Sequence, residues 1–91
     1  MKITYKGKVL KEIPEWKIIK QTTKNGEVTF FIVRARKDPP PEVIEIWQEL
    51  GYKDDILYST IESCDTLERA REYIKSVEDK EVVSTEIIPY P

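Results

Sequence analysis

Three groups of residues in this 91-residue chain have side chains suited to chemistry: a lone thiol, a run of carboxylates, and a basic stretch interleaved with aromatics. Cys64 stands just before a segment that reads as a helix, where the N-terminal dipole favours a thiolate. A nucleophilic role would need a base, and the sequence has no histidine, no second cysteine and no Lys or Arg next to Cys64. A buried, unreactive thiol is the reading left. Glu42, Glu45 and Glu49, followed by Asp54 and Asp55, could gather around a hard cation. The alternation of oxygen ligands around a central glycine that calcium loops use is missing, so these acids read as the wet side of an amphipathic helix. Gly7, Gly26 and Gly51 are too dispersed for a phosphate-cradling loop, and neither a Gly-x-Ser-x-Gly elbow nor a Cys-x-x-Cys pair occurs. No catalytic residue, metal ligand or cofactor is assigned, and the chain is expected not to be an enzyme.

The third group is the richest. Lys17, Lys20, Arg34, Arg36 and Lys37 lie among Trp16, Phe30 and Phe31, the mixture that holds phosphates and stacks bases. Lys17, Arg34, Arg36 and Lys37 are therefore the candidate anion or nucleic-acid contacts. Charge is distributed unevenly: residues 1–37 carry ten Lys/Arg against three Glu, a surplus of +7, which leaves −9 on residues 38–91 for a net charge of −2. A sequence pI of 5.2 opposes long-range attraction to a polyanion, which makes nucleic-acid binding the secondary reading.

The elements that must position these residues follow from turn chemistry and periodicity. Asn25-Gly26 between two β-rich runs, Trp16 to Thr23 and Val28 to Arg36, predicts a hairpin with a two-residue type I′ turn. That turn pairs Thr22 with Thr29, Lys20 with Phe31, Ile18 with Val33 and Trp16 with Ala35, on what reads as the core face. The other face then carries Ile19, Val28, Phe30 and Ile32, an apolar patch that two helices cannot also cover. Such patches are usually interaction sites, so these four residues are the candidate interface for self-association or for another protein. The alternative is that the amino-terminal segment, with Ile3, Tyr5 and Val9, folds over the patch.

Pro39-Pro40-Pro41 ends the second strand and opens a short helix with a stripe of Val43, Ile46, Trp47 and Leu50, closed by Gly51 at C′. Ile56 to Ile61 reads as a strand. A capping-box pattern, Asp65-x-x-Glu68, starts a second helix lined by Leu67, Ala70, Ile74 and Val77. Val82 to Ile88 reads as a last strand stopped by Pro89. At the amino end, Ile3 to Tyr5 and Val9-Leu10 predict a bulged strand or a small hairpin around Gly7. The expectation is one α+β domain over residues 1–91, with a mixed sheet of about five strands, two helices on one face, and the order β-β-β-α-β-α-β. Apolar runs are too short to span a bilayer, and no apolar stretch follows Met1-Lys2, so no membrane association and a cytoplasmic location are expected.

The stretch from Cys64-Asp65-Thr66-Leu67-Glu68-Arg69-Ala70 through Ile74, with Val82 to Ile88 after it, resembles small uncharacterised proteins encoded by phages and prophages. In those, a Thr-Leu-Glu-x-Ala-x-x-x-Ile helix leads into a final strand. The resemblance covers about a third of the chain and implies an accessory or host-interaction role, with no catalytic or binding residue attached.

Overall fold

The structure, a computed structural model, describes residues 1–90; Pro91, the last residue of the expected domain, lies outside the described residues. It is an α+β domain with five strands and two helices, as the sequence implies. The order is β1 (Lys2–Tyr5), β2 (Lys8–Glu12), β3 (Trp16–Thr22), β4 (Val28–Ala35), α1 (Pro41–Glu49), a 3-10 helix (Asp54–Leu57), β5 (Tyr58–Cys64) and α2 (Leu67–Asp79). The strands do not join in one mixed sheet. They form a two-stranded sheet, β1-β2, and a three-stranded sheet, β3-β4-β5, and every pairing is antiparallel.

A two-residue turn with both residues left-handed does occur, but at Lys6-Gly7 (φ 51 and 75), where it joins β1 to β2. The β3-β4 hairpin turns at the expected place by a different route. Only Gly26 is left-handed there (φ 88); Gly26 N–H donates to the Thr23 carbonyl (3.0 Å) and Thr23 N–H to the Glu27 carbonyl (2.9 Å). The loop is therefore Lys24-Asn25-Gly26, a three-residue connection with a glycine bulge. The Thr23 hydroxyl reinforces it by accepting from Glu27 N–H at 3.1 Å and donating to the Asn25 side chain.

One extra loop residue shifts the register by one. Thr22 faces Val28, Lys20 faces Phe30, Ile18 faces Ile32 and Trp16 faces Arg34, in place of the pairs predicted from a two-residue turn. Because strand side chains alternate, the slip regroups both faces of the sheet. Trp16, Ile18, Phe30 and Ile32 now share one face, and Lys17, Ile19, Phe31, Val33 and Ala35 share the other.

Both faces are covered, from opposite sides. Val33, Ala35 and Tyr58 join Ile3 and Ile13 of the amino-terminal segment, Ile44 and Trp47 of α1, and Leu57 in the main core. α2 packs across β3, β4 and β5 on the face that carries Ile32, which is fully buried, as is Ala70 of the helix. The two helices thus take opposite faces of β4. They cannot share one, because the amino-terminal hairpin occupies the area beside α1. β4 is buried on both sides, which accounts for its nearly unbroken apolar run from Phe30 to Val33.

α1 ends as the sequence predicts. Tyr52 N–H donates to the Trp47 carbonyl (2.9 Å) and Gly51 N–H to the Gln48 carbonyl (3.2 Å), the paired bonds of a Schellman motif, with Gly51 at φ 81. The Tyr52 ring stands edge-on to Trp47 with centroids 4.8 Å apart, giving the motif its apolar contact. The helix is rolled from its predicted stripe: Ile44 and Trp47 are buried, while Ile46 and Leu50 are half exposed. For α2 the cap is Thr66, whose hydroxyl accepts from Arg69 N–H at 3.2 Å, one residue beyond the expected Asp65; Asp65 instead pairs with the Arg69 side chain. The strand expected at Ile56 begins two residues later, because Asp54–Leu57 winds into a 3-10 turn.

Asp54 ties the amino-terminal hairpin to α1. It accepts two bonds from the Lys11 ammonium (3.1 Å each) and one from the Trp47 indole (3.3 Å). Burial pushes its carboxyl up, but the Lys11 and Trp47 hydrogen bonds and the Lys11 charge outweigh this and hold it below its ordinary range. A depressed folded pKa stabilises above the unfolded pKa, and that contribution is lost as pH falls through the folded value. Asp54→Asn should therefore lower urea-denaturation stability at pH 7 by about 1 kcal/mol. The gap to wild type should close as pH falls toward about 2; a gap that does not change with pH would show that the charge of Asp54 contributes nothing.

Candidate protein-interaction surface

The register brings Arg34 beside Trp16, and the guanidinium lies 4.4 Å from the indole centroid. Arg34 Nε and Nη2 donate to one Glu15 oxygen (3.2 and 2.7 Å), and Nη2 also donates to Glu81, the second residue after α2. The hydrogen bonds that Glu15 and then Glu81 accept raise the Arg34 pKa further. This clasp fixes where the chain leaves α2: at the Trp16 end of the sheet, on the face that α2 covers.

Beyond the clasp the chain is bare. The expected strand at Val82 to Ile88 does not form, and among the described residues none from 82 to 90 makes a backbone hydrogen bond to another part of the chain. A strand needs a neighbour to take its N–H and C=O groups, and the tail pairs with none. Val82, Val83, Ile87, Ile88 and Tyr90 are 80, 95, 91, 79 and 98% exposed. The radius of gyration is 17.2 Å, against about 12 Å for a compact chain of this length, and the longest extent is 63 Å. The tail projects.

In the three-stranded sheet two strand edges are also open, since β3 and β5 are hydrogen-bonded to β4 alone. The β5 edge is broken by a bulge at Ile61: Ile32 pairs with Glu62 but Val33 with Thr60. The β3 edge is regular over its seven residues.

The four predicted interface residues are not brought together. Val28, Phe30 and Ile32 lie on the face that α2 covers, with Ile32 fully buried and the other two partly so. Ile19 lies on the opposite face and is 42% exposed. Of the four candidate anion contacts, three are brought together and Lys17 is not. Arg34, Arg36 and Lys37 line an open cleft of about 770 Å³ together with Glu15 and Glu81, and both of those carboxylates already hold Arg34. Arg36 Nε donates to the Ile56 carbonyl (3.1 Å), and the Lys17 ammonium sits 4.4 Å from the Tyr58 ring centroid, on the other face. The Tyr58 hydroxyl donates to the Pro14 carbonyl, and burial followed by the nearby Asp54 charge pushes its pKa up.

Cys64 is a free, partly buried thiol opposite Phe30. Among the described residues no cluster of Cys, Asp and Glu could hold a metal ion, and no helix is long and apolar enough to cross a membrane. No protein-family model, curated protein or solved structure matches the chain.

Sequence reading passed over the tail because Val82-Val83 and Ile87-Ile88 look like any strand. The available signal was the want of a partner for it. If the clasp holds the root of the tail, Glu81→Gln should speed tryptic cleavage after Lys80 by about threefold to tenfold, while thermal stability changes little, as expected for a single surface ion pair. An unchanged cleavage rate would mean that Arg34 does not restrain the tail.

Proposed function

We propose that this is a non-catalytic protein-interaction domain that donates its carboxy-terminal segment, Val82 to Ile88, as a β-strand to the sheet edge of another polypeptide. One observation carries the reading: a stretch with two β-branched pairs lies almost wholly in water, anchored at one end and without backbone partners. Leaving four large aliphatic side chains exposed forgoes on the order of 1.5–3 kcal/mol each relative to burial, an arrangement that is favourable once a partner covers them. Strand addition supplies the backbone bonds, and alternate side chains read the partner. The resemblance to small phage and prophage proteins leads us to place the domain among accessory proteins that act by binding.

The test is a photo-crosslinking residue at Val83, activated in cells that make the protein. A covalent protein adduct that Ile87→Asp abolishes is the expected result. Absence of any adduct, or one indifferent to Ile87→Asp, would refute strand donation.

A further inference from the structure

The acceptor can be specified from the chain itself. Alternation along the β3-β4 ladder, counted from the Thr23 to Glu27 bond, makes Gln21, Ile19 and Lys17 the residues that exchange bonds with β4. The N–H and C=O groups of Ile18, Lys20 and Thr22 therefore point away from the sheet, along the regular β3 edge. Three such residues in alternation make half of an antiparallel ladder.

We propose that Val82–Ile88 of one copy completes that ladder on the β3 edge of a second copy, running antiparallel with Glu86 opposite Lys20. The proposal rests on the tail being a donated strand and adds the identity, edge and register of its acceptor. In this register Glu86 meets Lys20, Ile88 meets Ile18 and Ser84 meets Thr22 on the α2 face. On the other face Ile87 meets the exposed Ile19, and Thr85 meets Gln21. Pro89 falls opposite Lys17, whose backbone groups are turned toward β4, so no ladder bond is lost for want of a proline N–H. A slip of two residues one way sets Ile87 against Lys17 and Glu86 against Ile18; the other way it sets Ile88 against Lys20 and Pro89 against Ile19. Within the three-stranded sheet charge favours the same edge: β3 carries Lys17 and Lys20, whereas β5 reads Tyr-Ser-Thr-Ile-Glu-Ser-Cys, with Glu62 and no cation.

A copy cannot make this pairing with itself. Glu81 is held by Arg34 at the Trp16 end, while the register needs Val82 beside Lys24, about 26 Å farther along β3. The tail would have to detach and cross the whole sheet. A second copy presents its edge in either direction.

Two measurements test this. First, sedimentation over a concentration series compares wild type, Lys20→Glu, Glu86→Lys and the double variant, with circular dichroism confirming folding. Each single change should weaken dimerisation about tenfold or more, and the charge-exchanged pair should return to within about threefold of wild type. Second, Gln21→Cys with Thr85→Cys, on a Cys64→Ser background, places thiols at a pair whose Cα atoms would lie about 4.5 Å apart in the ladder, within disulfide range. Oxidation should give a covalent dimer. An internally bridged monomer would overturn the second copy as acceptor, and a dimer that needs the tail yet ignores both charge changes would overturn the edge and register, leaving strand donation intact. A strict monomer that still forms Val83 adducts with a different protein would overturn self-association alone; a strict monomer with no adduct removes strand donation too.

Discussion

An odd-numbered loop sets the parity of every contact between β3 and β4. Because Lys24-Asn25-Gly26 has three residues, Arg34 falls beside Trp16 and Ile18 beside Ile32, on the face that α2 covers. A two-residue turn would reverse each of these assignments, since a step of one along a strand exchanges its faces. Gly26 permits the loop by taking the left-handed conformation that closes the bulge; the Thr23 hydroxyl then satisfies Glu27 N–H. The Arg34 clasp and the outward backbone groups of Ile18, Lys20 and Thr22 both inherit that parity.

β4 being covered on both faces explains how so short a chain builds a core. The larger side is organised by Trp47, which is fully buried, stacked edge-on by Tyr52 and hydrogen-bonded to Asp54. Asp54 in turn reaches Lys11, so one carboxylate links helix, 3-10 turn and amino-terminal hairpin. The smaller side rests on Ala70 and Ile32, with Ile18, Phe30 and Ile74 only partly covered. Ala70 lets α2 approach closely, but α2 is a 13-residue helix lying over three strands, and it leaves the Lys20 end of β3 in solvent. The thin side of the core adjoins the open edge.

Local chemistry was legible in the sequence wherever a residue acts through its own backbone. Gly51 closes α1 as predicted, Gly7 marks a small hairpin, and Ala70, Ile74 and Val77 face the sheet from α2. What the sequence hid was decided between elements. Asn25-Gly26 serves a two- or a three-residue loop equally well, and choosing between them depends on which face meets α2. α1 has apolar residues at 43, 44, 46, 47 and 50, a stripe wide enough to roll; the neighbouring Val33 and Tyr58 select Ile44 over Ile46. The candidate interface of Ile19, Val28, Phe30 and Ile32 was grouped by the predicted parity, so the slip that regrouped the sheet divided it. Of the four, Ile19 alone remains half exposed, and it lies on the regular edge strand.

The missing last strand follows from the same logic. A right-handed crossover from β5 through α2 would return the chain parallel to β5, beside either edge of the sheet. Next to β5 the Ile61 bulge interrupts the ladder and Glu62 repels an acidic strand. Next to β3 a parallel approach from the clasp could set Val82 to Ile88 against Trp16 to Thr22, but parallel ladders are slightly less stable per residue, and the tail does not take that place. Antiparallel pairing sets Ser84 to Ile88 against Thr22 to Ile18, but the clasp at Glu81 starts the tail from the wrong end. The segment thus has the composition of a strand and pairs with neither edge of the three-stranded sheet. Antiparallel to the Ile18-Ile19-Lys20 run, with Glu86 opposite Lys20, it meets an edge that only another molecule can present in the required direction.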